Sequence, residues 1–128
     1  FPNKLILQKY ANIRFNLLEP EKILNKTILF DWWLKNRTQV LNSKYRVAHT
    51  SDIFRLGLMY KYGGVYSDLD TITLRSFEPL LPFNGIGAWH ITKEIREVGN
   101  GLLLFRKNNR IIKEVMKDFI LSYNPTEW

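Results

Sequence analysis

The stretch Lys61–Thr71, KYGGVYSDLDT, holds two glycines, two tyrosines and two aspartates in eleven residues. Aspartate is a poor strand former, so two of them one residue apart at the end of an apolar, β-branched run call for a reason beyond folding. Upstream, HTSDIFRLGLMYKYGG reads as a helix, with Thr50 or Ser51 as N-cap, Asp52 in the first turn and Ile53, Leu56 and Tyr60 spaced i, i+3, i+7. Gly63 is its expected stop, in the left-handed conformation. Downstream, VYSDLDTITL reads as a strand, which sets Asp68 and Asp70 at or just past an exposed strand end. Helix, Gly-Gly turn and acid-tipped strand together predict an α/β fold.

The rest of the chain extends that pattern. In ANIRFNLLEPEK, Ile13, Phe15 and Leu17 alternate with Arg14 and Asn16, a strand signature that Pro20 closes. ILFDWWLKN suggests a short helix, and GIGAWHIT and GNGLLLFRKN two more strands. NRIIKEVMKDFILSYNP sets Ile111, Ile112, Val115, Met116, Phe119 and Ile120 on one helical face, with Pro125 beyond its end. Strands interspersed with helices predict an α/β sandwich with a mostly parallel sheet.

With 128 residues, 45% of them hydrophobic, the chain has the makings of an ordinary globular core in one domain. No run approaches the ~20 apolar residues of a membrane-spanning helix, and the opening FPNKLILQKY lacks the features of a signal peptide. The absence of cysteine rules out disulfides and thiolate ligands, so a metal would be held by oxygen or imidazole. The formal charge of +7 favours anionic partners, but the basic residues form no dense block and do not interleave with aromatics as a nucleic-acid surface requires. Asn25-Lys-Thr27 and Asn36-Arg-Thr38 fit the N-glycosylation sequon, which matters only in a secretory lumen.

Two carboxylates at i and i+2 of an extended backbone point to one side, and a turn starting there also brings both to one ligand. Hard divalent cations such as Mg²⁺ and Mn²⁺ prefer such oxygens and share them with substrate phosphates. Asp-x-Asp alone is a weak signal. Its company strengthens it: a helix bearing Asp52 and Arg55, then Gly63 and Gly64, whose lack of a Cβ permits close approach of a ligand. The plainer readings are a surface pair for Asp52 and Arg55, a helix stop for Gly63, packing or capping for His49 and His90, and core or edge packing for Trp32 and Trp33. An aspartate-nucleophile phosphatase, with Asp68 as nucleophile and Asp70 as acid-base, ranks lower. GGVYS precedes the pair where an apolar run is wanted, and Ile72 stands where Thr or Val is wanted.

Over Ser51 to Thr71, SDIFRLGLMYKYGGVYSDLDT resembles the signature of glycosyltransferases with the Asp-x-Asp sugar-binding region, and the segment from Asn100 onward is similar to their α1,4-glycosyltransferase branch. Together these segments cover about half of the chain. The resemblance implies a Rossmann-like nucleotide-diphospho-sugar transferase (type A glycosyltransferase) fold. It also implies a Mn²⁺ or Mg²⁺ cofactor and retaining transfer of a hexose (galactose, N-acetylgalactosamine or N-acetylglucosamine) from a UDP-sugar donor to a glycolipid or glycan acceptor. By position it implies Asp68 and Asp70 as metal ligands, with Asp68 also touching the donor. Asp52 and Arg55 would hold donor sugar hydroxyls, Asn100 with Gly101 would lie near sugar and acceptor, and Gly63, Gly64 and Tyr66 would contact the nucleotide sugar. A catalytically inactive, donor-binding homologue is the alternative. By the same resemblance, residues 1–128 are expected to be the central part of one catalytic domain, inactive alone. A membrane anchor would lie upstream, a Gly-His/Asn-Gly-Pro stretch would follow, and the full protein would sit in the Golgi lumen as a type II membrane protein.

Overall fold

The computed structural model describes residues 10–14, 16, 17, 19–91 and 96–127. The expected first strand is not formed by its described residues. Ile13, Arg14, Asn16 and Leu17 have no strand pairing, Leu17 is 89% exposed, and Phe15 lies outside the described residues. Alternation needs a partner sheet to bury one face, and none is offered among the described residues. Pro20 does not close a strand but opens helix α1, Pro20–Leu24, where its fixed φ and missing N–H suit the first turn.

Helix α2 spans Leu29–Asn42, longer than the short helix expected from ILFDWWLKN. The Thr27 hydroxyl accepts from the Leu29 amide at 3.2 Å and so satisfies one of the donors a helix start leaves open. Leu29, Trp33 and Val40 are buried along one face. The sequons fare differently: Asn25 is exposed in the turn after α1, whereas Asn36 on α2 donates its amide to the Trp32 carbonyl at 2.8 Å.

Helix α3, Arg46–Tyr62, starts before the expected cap at Thr50 or Ser51. Ser43 does part of the capping instead: its hydroxyl accepts from the Tyr45 amide at 3.0 Å and its carbonyl from the Arg46 amide at 3.2 Å. The helix stops at Gly63, but with φ 66° and ψ −162° rather than in the left-handed helical region expected. That part of the map is nearly closed to residues with a Cβ.

Three strands follow: β1 Gly64–Ser67, β2 Gly85–Ile91 and β3 Arg96–Phe105, in the order β1-β3-β2. Both pairings are antiparallel, with Gly64 opposite Phe105 and Ser67 opposite Leu102. The mostly parallel sheet is therefore not seen among the described strands. After β1 the chain crosses to the far edge of the sheet, and β3 returns between its two neighbours. The inserted strand runs against both, so β1 and β2 point the same way.

Along β3, Leu103 and Phe105 enter the core with Leu24, Leu29, Ile53 and Met116, while Leu102 and Leu104 face an apolar pocket under Phe77, Leu80 and Phe83. Helix α4, Arg110–Ser122, begins at Asn109, whose side chain accepts from the Ile111 amide at 2.8 Å. It buries Ile112 and Met116 and half-buries Phe119 and Ile120. Ile111 and Val115, expected on the same core face, are 51% and 40% exposed.

Candidate functional site

Strand β1 ends before the aspartates. The Asp68 amide donates to the Gly101 carbonyl at 2.8 Å, one bond past the β1–β3 ladder, and the Thr71 amide donates to the Asp68 carbonyl at 3.1 Å. A turn, not a regular strand, therefore carries Asp68 and Asp70. Both still line one open cleft of about 300 Å³, together with Thr71, Gly87, Gly101 and Leu102.

The two carboxylates differ in surroundings. Asp68 Oδ1 accepts the Tyr66 hydroxyl at 2.6 Å and Arg55 Nη2 at 3.2 Å. Its Oδ2 lies over Gly101, where a Cβ would stand 2.8 Å away. Among the described residues Oδ2 has no hydrogen-bond donor, and the exposed Asp70 carboxylate has none either.

Arg55 is 6% exposed, so it is no surface pair. Its Nη1 donates to Asn100 Oδ1 and stands 3.8 Å from Asp52 Oδ1, and its Nη2 also donates to Ser51 Oγ at 3.2 Å. The guanidinium stacks over the Tyr66 ring at 4.7 Å, a cation–π contact strengthened by exclusion of water. Nε is buried without a partner among the described residues, while the other donors hold both carboxylates. Asn100 completes the chain by donating Nδ2 to Asp52 Oδ1 at 2.9 Å. The result is a wall running Asp52, Asn100, Arg55, Asp68, built from α3, β3 and the end of β1.

Burial raises the Asp52 pKa above its ordinary 3.8, against the pull of the Arg55 charge, the Asn100 hydrogen bond and His49, with the Asp68 charge adding to the rise. Tyr66 is also raised above its usual 10.0, first by burial and then by its bond to Asp68, so its hydroxyl remains a donor at neutral pH. Ser51, read in the sequence as a cap, is in fact an Arg55 acceptor; its spacing of four from Arg55 was the available signal.

Other sequence-predicted residues are placed differently. A Cβ on Gly63 would meet the Lys107 amide at 2.5 Å and the Phe105 carbonyl at 2.9 Å, so this glycine faces the end of β3 rather than the cleft. Gly64, at φ 96°, has open space around it, and neither glycine lines the cleft. Asp52 does not line it either; it borders a separate depression with His49 and Tyr123.

His49 is buried. Its Nε2 meets the Glu127 carbonyl at 2.9 Å, and its Nδ1 meets the Tyr123 hydroxyl at 3.3 Å and Ser43 Oγ at 3.4 Å. A carbonyl only accepts, so the proton belongs on Nε2. Ser43 spends its own proton on the Pro125 carbonyl at 2.7 Å, which leaves Tyr123 as the donor to Nδ1. Trp33 is core, and Trp32 makes edge-on contacts with Phe119 and Tyr123, centroids 5.5 and 5.0 Å apart. The His90 side chain lies outside the described residues.

Among the described residues no third His, Cys, Asp or Glu joins Asp68 and Asp70 in a metal-binding group. Two carboxylates with free oxygens on an open cleft nevertheless fit a hard divalent cation that takes its remaining ligands from water and substrate phosphate.

The chain is a member of the family described as "glycosyltransferase sugar-binding region containing DXD motif", which matches residues 6–86, more than half of it. It is 28% identical to human alpha-1,4-N-acetylglucosaminyltransferase over 128 residues, 100% of this chain and 35% of that protein. Human lactosylceramide 4-alpha-galactosyltransferase is 30% identical over 124 residues, 96% of this chain and 33% of that protein. The rat lactosylceramide 4-alpha-galactosyltransferase is 28% identical over 123 residues, 96% and 32% respectively. The chain thus spans about a third of the length of these relatives. No solved structure matches it.

Proposed function

We propose that the protein transfers a hexose, galactose or its N-acetylated relatives, from a UDP-sugar to a glycan or glycolipid hydroxyl, forming an α1,4 linkage with retention. The observation that supports this reading best is the division of labour between the carboxylates. Arg55 and Tyr66 engage Oδ1 of Asp68, leaving Oδ2 and the whole of Asp70 turned to an open cleft.

Asp68 and Asp70 would hold the divalent cation. When bound, it supplies Lewis-acid stabilisation of the departing diphosphate, worth several kcal/mol in comparable sites. Arg55 fixes the Asp68 rotamer, and Gly101, lacking a Cβ, leaves room for the Asp68 carboxylate itself. In the transfer itself the bond from the anomeric carbon to the diphosphate oxygen breaks as the bond to the acceptor oxygen forms on the same face. The acceptor's proton passes to the leaving phosphate oxygen. No side chain at the cleft is assigned as a covalent nucleophile. A Rossmann-like type A fold and a Golgi setting for the whole protein are part of the same proposal and rest on the family resemblance, not on the described strands, whose pairings are antiparallel. No helix among the described residues is long and apolar enough to cross a membrane.

Calorimetric titration of the intact protein with UDP tests the reading, with Mn²⁺ and with chelator, in wild type and Asp70→Asn. Binding should need the metal and weaken by at least about tenfold in the variant. Affinity indifferent to both changes would overturn the metal role, and absence of transfer from any UDP-hexose would overturn the reaction.

A further inference from the structure

We propose that Asn25 carries an N-linked glycan and that Asn36, the asparagine of the second sequon, does not; this rests on the lumenal setting proposed above. Asn25-Lys-Thr27 occupies the connection between α1 and α2. Asn25 has φ −51° and ψ 133°, Lys26 has φ 67°, and the Thr27 amide donates to the Leu24 carbonyl at 2.9 Å, which together make a type II turn from Leu24 to Thr27. Both central residues are exposed, and the Asn25 side chain has no hydrogen bond among the described residues. A positive φ is uncommon for lysine, so the turn needs support from elsewhere. Thr27 supplies it: its hydroxyl donates to the Leu24 carbonyl at 2.7 Å and accepts from the Leu29 amide at 3.2 Å. The last residue of the sequon thus fixes the turn that presents the first.

Attachment joins Asn25 Nδ2 to the anomeric carbon of an oligosaccharide carried on a lipid diphosphate. The C–N bond forms as the anomeric C–O bond breaks, the diphosphate leaves with the bonding pair, and the lumenal transferring enzyme takes up one amide proton. A glycan is bulky and belongs on the surface, so the native packing has to tolerate it at its root. Asn36 offers the same triplet in a setting that a glycan would spoil. It lies within α2, half-buried, and its Nδ2 donates to the Trp32 carbonyl at 2.8 Å. Trp32, one turn earlier on the same face, packs edge-on against Phe119 and Tyr123. A glycan rooted on Asn36 would stand in line with that contact. On Asn25 it meets nothing of the kind, and it also stands clear of the cleft. Helix α1 packs on Gly57 of α3, where a Cβ would meet Leu24 Cδ2 at 2.7 Å and Ile23 Cγ2 at 3.4 Å. Gly57 follows Arg55 by two positions, roughly 200° around the helix, so α1 and its turn lie on the side of α3 away from Arg55 and Asp68.

Expression of the intact protein in a eukaryotic host, followed by isolation of sealed microsomes, tests this. Peptide N-glycosidase acting in heavy-oxygen water converts a glycan-bearing asparagine to a labelled aspartate, and mass spectrometry should find that label at Asn25 and not at Asn36. Asn25→Gln should gain gel mobility equivalent to one glycan, and Asn36→Gln should migrate as wild type. Thr27→Ser keeps both the sequon and the turn hydroxyl, and should keep the glycan. Asn25→Gln should also transfer hexose with kcat/KM within about twofold of wild type, because the turn lies away from the cleft; a tenfold loss in the folded variant would overturn that placement. Asn25 left bare on protein that added protease cannot reach inside the sealed microsomes, or a label on Asn36, would overturn the inference and leave the transferase reading standing. Digestion of the domain in sealed microsomes would instead overturn the lumenal setting, and the glycan with it.

Discussion

Gly101 lies directly beneath the Asp68 carboxylate, so close that a methyl group there would stand 2.8 Å from Oδ2. A free carboxylate would swing aside at little cost. This one is held by Tyr66 and Arg55 through its other oxygen. Gly101→Ala should therefore turn Asp68 away from the cleft, cutting metal-dependent UDP affinity by about tenfold or more, read by calorimetry. Turning Asp68 away also breaks its bonds to Tyr66 and the buried Arg55, so a modest drop in thermal stability is expected beside the lost affinity. Unchanged affinity would show that Asp68 does not need its present rotamer.

Arg55 is a buried cation shared by Asp52, Asn100, Ser51 and Asp68. Removing one member of a buried pair costs about 3–5 kcal/mol; with Asp68 still 36% exposed, Arg55→Ala should fall at or below the lower end of that range. Arg55→Lys keeps the charge but lacks the planar fork that reaches several acceptors, and should recover only part of the loss. Urea unfolding midpoints compare the two directly. Equal midpoints for Arg and Lys would reduce Arg55 to a point charge.

The two glycines of the helix-to-strand turn should respond unequally. Gly63→Ala combines a forbidden backbone conformation with a Cβ 2.5 Å from the Lys107 amide, whereas Gly64→Ala meets only the conformational cost. Such backbone strain costs about 1–3 kcal/mol, and the steric overlap at Gly63 adds to it. Thermal unfolding should therefore rank wild type above Gly64→Ala above Gly63→Ala. The reverse order would mean that the turn remodels freely.

Asp52 makes stability depend on pH in a definite direction. Its folded pKa is raised, so between 3.8 and that raised value the folded state binds more protons than the unfolded one. This contribution is present at low pH and is lost as pH climbs through the window. Asp52→Asn, which keeps an oxygen for Asn100, removes it. The stability of wild type relative to the variant should fall as pH climbs from 3.8 through the raised folded value, measured by chemical denaturation. A difference that stays flat or grows with pH would contradict the raised pKa.

The helix, the Gly-Gly turn and the paired acids were legible because each follows from local rules that the fold leaves intact. The start of α3 was not. Thr50, Ser51 and Asp52 have the composition of a cap, yet they lie inside the helix, and Ser51 and Asp52 serve Arg55 and Asn100. Short polar residues are wanted at caps and at sites alike, and a sequence does not distinguish the two uses. Strand direction was illegible for another reason: alternation of helix and strand suggests parallel order, but the long excursion after β1 decides which way β3 enters the sheet. On α4 the run of apolar residues exceeded what the described core covers, so Ile111 and Val115 are left facing outward.

Asn100 and Gly101 are consecutive residues of β3, and they grip the two ends of the wall. The side chain of the first holds Asp52, and the carbonyl of the second holds the Asp68 amide. Two neighbouring residues of a single strand thus carry both loads. The seating of Asp52 and that of Asp68 therefore both depend on where this one segment of β3 lies.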